Sequence, residues 1–230
     1  MAKVAFLGPA CSFSHDLARE EFPDDEHVAF PFLHEVVAAI ASGDCGLAVV
    51  PFYNTTRKSI EESQLELISH KNKVFVSNVL PLDVRHMLCG FGGLNEIEEI
   101  RSKIVVFHQV SKWQKAALPD ATLKDYPSTS AAVKSLCEDG KPSAVAAIGT
   151  LSATKEYRVP VLKRNIQNKP NVTLFFVLES AMPKPEDMDH VLLCSPKASK
   201  PQKAQIEEFA GDEGCAITSN WPLTVTGGEA

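Results

Sequence analysis

Short apolar runs alternate along this chain with stretches in which apolar residues recur at helical spacing. Residues 3–7 (Lys-Val-Ala-Phe-Leu) form one such run and stop at Gly8-Pro9; Phe13, Leu17, Ala18 and Phe22 then recur on one face of a helix. The same logic predicts a helix over 32–42 closed by Gly43, a strand over 47–50 stopped by Pro51, and a helix over 59–69. Strands are predicted at 74–79 and 84–89, followed by a flexible break at Gly90-Phe-Gly-Gly93. Beyond it the pattern predicts a helix over 94–101, a strand over 104–107, and helices over 110–117 and from Ser128. A strand at 144–148, a helix over 149–157 and strands at 161–162 and 173–178 follow. This is the signature of an α/β chain with mainly parallel pairing.

Because the pattern restarts after Gly93, two lobes are expected: one from 1–79 plus 161–180, the other from 80–160. The chain would cross near Val79 and Pro160, with a ligand in the cleft. A composition shift at Ala181-Met-Pro-Lys-Pro-Glu-Asp marks a linker, and 188–230 reads as a separate small unit.

Composition narrows the function classes. With 230 residues and 44% apolar content the chain is long enough to bury a core without disulfides or metal. The net charge of −6 and the lack of a basic stripe argue against nucleic-acid binding. No apolar run is long enough for a membrane span, and the first residues do not read as an export signal. The cysteines Cys11, Cys45, Cys89, Cys137, Cys194 and Cys215 are scattered and read as reduced, mostly buried thiols; a cytoplasmic protein without metal is expected. Gly8 stands alone, so no nucleotide fingerprint is present and no cofactor is expected.

Candidate chemistry gathers at three turns leading into helices: 8–15, with Ser12, Ser14 and His15; 51–56, with Asn54, Thr55 and Thr56; and 126–130, with Ser128 and Thr129. First turns of helices present free N–H groups, so such places suit small anions, although Ser and Thr are also ordinary N-caps. His15, His86 and His108 adjoin turns or strand ends.

The motifs at these turns resemble those of prephenate dehydratases. Residues 4–15 (Val-Ala-Phe-Leu-Gly-Pro-Ala-Cys-Ser-Phe-Ser-His) are similar to that family's V-A-x-L-G-P-x-G-S-F-S-H, and 46–55 to its G-V-V-P-x-E-N-S. Ser128-Thr-Ser-Ala-Ala132 resembles S-T-A-x-A, Phe107-His-Gln-Val110 stands where S-H-P-Q would, and Asn171-Val-Thr-Leu-Phe175 resembles N-x-T-R-F. The departures are Tyr53 for the Glu of E-N-S, Thr55 for its Ser, and Leu174 for the Arg of T-R-F. Residues 190–222 resemble a cut-down regulatory ACT domain, with Ser219-Asn-Trp-Pro222 in place of E-S-R-P; loss of phenylalanine sensing is the expectation.

The resemblance implies a two-lobed fold like that of periplasmic binding proteins, a homodimer, and prephenate as substrate. It also implies Thr173 as general acid, with His15 and Tyr53 as further catalytic candidates. Ser12, Ser14, Asn54, Thr55, Ser128, Thr129, Leu174 and Phe175 would bind substrate. Tyr53 and Leu174 are expected to line the wall beside the 4-hydroxyl and leave it poorly assisted as a leaving group. Loss of the Arg clamp at Leu174, of the carboxylate at Tyr53 and of the E-S-R-P favours a non-aromatising prephenate decarboxylase of specialised biosynthesis. Retained Thr173 speaks for the alternative, a dehydratase forming phenylpyruvate, and a non-catalytic small-anion binder is the third reading.

Overall fold

A computed structural model describes residues 1–56, 58–70 and 73–181. The chain forms β1 (Lys3–Leu7), α1 (Phe13–Glu21), β2 (Glu26–Phe30), α2 (Leu33–Ser42), β3 (Leu47–Asn54), β4 (Lys58–Ser59), α3 (Glu61–Ser69) and β5 (Phe75–Asp83). There follow β6 (Met87–Gly90), β7 (Glu99–Ser102), α4 (Ile104–Ala117), β8 (Thr122–Asp125), α5 (Thr129–Glu138), β9 (Val145–Gly149), α6 (Leu151–Glu156), β10 (Val161–Lys163) and β11 (Val172–Glu179). One sheet runs β2-β1-β3-β11-β5 with β4 beside β3; the other runs β10-β6-β9-β7-β8. Each sheet has its helices and core. Val4, Ala5 and Phe6 are all buried, as befits a strand covered on both faces.

Pairing is mixed rather than mainly parallel. β1 runs parallel to β2 and β3, and β7 to β8 and β9, but β11 is antiparallel to β3 and β5, and β6 to β9 and β10. The reason is where the chain crosses between sheets. β6 and β11 each begin directly after a crossing, so they enter from the side where the parallel strands end. The crossings are residues 84–86 and 164–171, not the neighbourhoods of Val79 and Pro160. β5 continues to Asp83 because it pairs along its length with β11, and Val161 and Lys163 pair with β6 in the second sheet.

Three local expectations give way to packing. β3 continues through Pro51 because the register with β1 ends at Val49 and that with β4 starts at Tyr53, leaving the missing N–H no ladder bond to break on that edge. Residues 94–96 are a short 3-10 turn, and the expected helix over 94–101 is replaced by β7. Arg101 hides this strand: it is buried, yet satisfied by Glu99, Ser135 and Asp139. The apolar run 104–107, expected as a strand, opens α4, since Val106, Phe107, Val110 and Gln114 are its buried positions. The strands β2 and β8, none of whose residues is fully buried, escape sequence reading.

In the second lobe β9 alternates: Ala146 and Ile148 face the core under α4, and Ala147 faces the core under α5. Cys11, from the loop after β1, is buried in the α5 core with Val133 and Leu136, so the first lobe's loop is anchored inside the second. Cys11, Cys45, Cys89 and Cys137 are free thiols, and burial pushes the Cys89 thiol up to about 12. Cys194, Cys215 and the expected ACT-like unit lie outside the described residues.

At Gly149 a Cβ would stand 2.5 Å from Val133 Cγ2 and 3.3 Å from the Thr129 carbonyl oxygen. Val133 is fully buried and β-branched, so it has little room to yield. Gly149→Ala should therefore lower stability by about 1–3 kcal/mol through overpacking, read as an earlier midpoint in urea unfolding.

Candidate active site

The ends of β1, β3, β7 and β9 point to the region between the sheets, and so do the starts of β6 and β11. Ligands of α/β folds bind at such strand ends. Two groups of side chains meet there.

The first group joins the lobes around the loop after β1. Cys11 stands at φ 60°, a left-handed conformation that suits glycine, which the resembling pattern carries at this place. Both its backbone groups are held: its N–H donates to His15 Nδ1 (2.9 Å), and its carbonyl accepts from Thr150 Oγ1 (2.8 Å) of the other lobe. Ser130 Oγ donates to the Ala10 carbonyl (2.8 Å), pinning the first turn of α5 to the same loop. Ser12 and Ser128 are N-caps whose hydroxyls accept from the N–H groups of His15 and Ala131; both are thereby engaged in holding helix starts. Ser14 is buried on α1, and Thr129 is half-buried in the first turn of α5. His15 stacks on Phe6 (4.6 Å) and meets His27 edge-on (5.9 Å), so its contacts hold the loop and the sheet rather than Thr173.

The second group surrounds the start of β11. Between Tyr53 and Pro51 the register of β3 shifts against β11: Leu174 faces Tyr53, but Phe175 faces Pro51, leaving Phe52 extra. Phe52 stacks on Phe176 (3.9 Å) on one face of the sheet, whereas Phe175 and Val49 share the core with Leu17 of α1 on the other. The bulge makes Phe52 and Tyr53 share a face, so that Asn54 and Thr173 emerge together on the α1 face. Tyr53 and Leu174 therefore lie on the opposite face from Thr173, contrary to the expectation that they line its wall. Phe175 lies in the core under α1, not at a binding surface. Thr55 is used structurally: its N–H donates to the Val172 carbonyl (2.9 Å) and its hydroxyl accepts from Val172 N–H (3.0 Å).

Asn54 Nδ2 donates to Thr173 Oγ1 (2.8 Å) and to Asn171 Oδ1 (2.7 Å). Its Oδ1 accepts from the Thr56 N–H (2.9 Å) and hydroxyl (2.6 Å). Gln109 Nε2, on α4 of the other lobe, lies 3.1 Å from Thr56 Oγ1, and Gln109 Oε1 lies 2.7 Å from His86 Nε2. Phe13, at the start of α1, meets the His86 ring edge-on (5.8 Å), linking this group to the loop of the first. Thr56, Gln109, His86, Asn171 and Thr150 join these two groups although residue-type reasoning did not select them as site residues. Their signals were partial: Thr56 closes the second turn, Gln109 stands in the S-H-P-Q counterpart, and His86 was one of three notable histidines.

Comparison with known proteins fits this geometry. The prephenate dehydratase family model matches residues 4–183. The chain belongs to the prephenate dehydratase family. It is 29% identical over 177 residues to a prephenate dehydratase of Lactococcus lactis, covering 76% of this chain and 63% of that one. The chain thus spans less than two thirds of this curated relative's length. Among solved structures, the prephenate dehydratase of Arthrobacter aurescens in complex with L-Phe superposes with a TM-score of 0.72 at 22% identity, covering 80% of this chain and 62% of that one. A quorum-quenching acylase shares the fold with a TM-score of 0.69 at 19% identity, covering 79% of this chain and 65% of that one. The two-sheet α/β fold is that of the family's catalytic domain. Since the acylase shares it, activity has to be argued from the site.

Burial holds the imidazoles of His86 and His15 below the ordinary histidine value of 6.5; the Gln109 bond opposes this at His86, and Arg19 and His27 add to it at His15. Between the folded and unfolded values the unfolded chain binds more protons, so stability rises with pH through that window and is complete above the unfolded value. The thermal midpoint should fall as pH is lowered from about 7 to about 5.5, and His86→Gln should make that fall shallower. An equal slope in the variant would remove His86 as a source.

Proposed function

We propose that this chain is a prephenate dehydratase in which Thr173 protonates the leaving hydroxyl. The observation that carries this reading is the orientation of the Thr173 hydroxyl. A backbone N–H can only donate, so the Asn54 atom that meets Thr56 N–H is the amide oxygen, and the atom facing Thr173 is the NH₂. Thr173 Oγ1 must accept there, which leaves its proton free for another acceptor. A hydroxyl whose oxygen accepts a buried hydrogen bond is a better donor than a free one.

The chemistry asks for little more. Loss of the ring carboxylate as carbon dioxide supplies the electron pair that expels the 4-hydroxyl, and aromatisation drives the reaction forward. The protein orients the dianion and delivers one proton, which leaves with the hydroxyl as water. Prephenate, with one proton added, gives phenylpyruvate, carbon dioxide and water. First turns of α1 and α5 flank the loop after β1 and supply N–H groups suited to carboxylates.

The decarboxylase reading drew on the lost E-S-R-P and on the pocket changes expected from Tyr53 and Leu174 near the leaving hydroxyl. With both on the other face of the sheet, the substitutions at these positions lose that force, while retained Thr173 and Asn54 share one face. The wild-type chain incubated with prephenate should therefore form phenylpyruvate, followed by its ultraviolet absorbance. Thr173→Ala should lower kcat by about 10²–10⁴-fold with a small change in KM, and Thr173→Ser should keep most of it. A conjugated dienyl product that retains its hydroxyl would overturn the dehydratase in favour of the decarboxylase. Binding without turnover would favour the anion-binding protein.

A further inference from the structure

The direction of every hydrogen bond behind Thr173 follows from one backbone group. Thr56 N–H fixes Asn54 Oδ1 as an acceptor. The Thr56 hydroxyl, 2.6 Å from that same oxygen, must spend its single proton on it. Thr56 Oγ1 can then only accept from Gln109, so the Gln109 atom at 3.1 Å is the NH₂. The other Gln109 atom is the carbonyl oxygen, and His86 Nε2, 2.7 Å from it, must carry the proton. Neutral His86 then has an unprotonated Nδ1, in keeping with a buried Nδ1 that has no partner among the described residues. Donation runs one way, from His86 through Gln109, Thr56 and Asn54 to Thr173.

This chain crosses between the lobes once, at the bond between Gln109 of α4 and Thr56 beyond β3. We propose that Gln109 is a positioning residue for the acid Thr173: its NH₂ donates to the Thr56 oxygen, which strengthens the Thr56 donation to Asn54 Oδ1 and, through it, the donation of the Asn54 NH₂ to Thr173, in the direction that Thr56 N–H sets. Gln109 does not act on the substrate itself. Its effect needs both lobes together, which makes the competence of Thr173 depend on lobe closure. The proposal rests on the dehydratase reading for its kinetic consequence, but its tautomer consequence stands apart from any activity.

Gln109→Leu removes the donor. Gln109→Glu keeps the length but offers an acceptor, which would draw the Thr56 proton away from Asn54. Both should lower kcat about tenfold or more with KM within about twofold, whereas a packing defect would move KM and the thermal midpoint as well. Thr56→Val should show the same loss, and Thr56→Ser, which keeps the hydroxyl, should restore kcat to within about threefold of wild type. In ¹⁵N-histidine spectra of the wild-type chain, His86 should be the neutral Nε2–H tautomer. Undiminished kcat in Gln109→Leu and Thr56→Val, or an Nδ1–H tautomer for His86, would overturn the relay. Wild-type protein that shows the Nε2–H tautomer but does not turn over prephenate would sink the dehydratase reading and leave the relay standing.

Discussion

One extra residue in β3 decides which side chains reach the site. Without Phe52 opposite β11, strict alternation from Val49 and Pro51 would carry Tyr53 onto the α1 face and turn Asn54 away from it. The bulge reverses that parity for the last two residues of the strand. Its own cost is met by packing, because Phe52 stacks on Phe176 instead of hanging loose, and the Phe52 carbonyl accepts from Ile60 N–H. Asn54 thus arrives beside Thr173 on the face toward which α1 brings Phe13. The whole hydrogen-bonded group depends on that single offset in register.

The second constraint is the direction in which the chain enters each sheet after a crossing. Thr173 is the second residue of β11 and His86 immediately precedes β6, so both stand beside the crossings, on the edge where the parallel strands end. The crossings are themselves fastened: Val84 N–H donates to the Asn171 carbonyl (2.7 Å), and His86 N–H to Gln167 Oε1 (3.2 Å). A site built on paired crossings keeps contact with both lobes. The contacts at Cys11, Ser130 and Thr150 bind the far side of the same region.

Much of the fold was legible in the sequence, and the failures share a cause. β1, α1, α2, α5, β9 and β11 announce themselves because their buried faces are apolar and their ends carry Gly, Pro or a capping hydroxyl. β7 did not, since its buried Arg101 is neutralised by partners that only the fold brings near. At the site, Asn54, Thr173 and the loop from Ser12 to His15 were recognisable from motifs at strand ends. Tyr53, Leu174 and Phe175 were misassigned because adjacency in a motif says nothing about faces of a sheet, and a bulge is invisible to composition. Gln109 escaped because it falls between the strand expected over 104–107 and the helix expected over 110–117, and its partner across the lobes is brought near only by the fold.

Among the described residues, the network behind Thr173 is made of two asparagines, a glutamine, a threonine and an imidazole that burial keeps neutral. That choice has a physical reason. A buried cation at this place would carry a heavy desolvation cost and, were the proposed dianion bound, would hold it as firmly as the transition state, which adds affinity but no rate. Oriented dipoles cost less to bury when each is satisfied, and they strengthen one another when all point the same way. Their effect is concentrated on the Thr173 hydroxyl, whose proton, in the proposed reaction, is transferred only as the carbon–oxygen bond breaks. Under the proposed dehydratase reading, a relay of fixed direction favours the departing hydroxyl over the bound substrate, and one backbone N–H, that of Thr56, suffices to fix the direction.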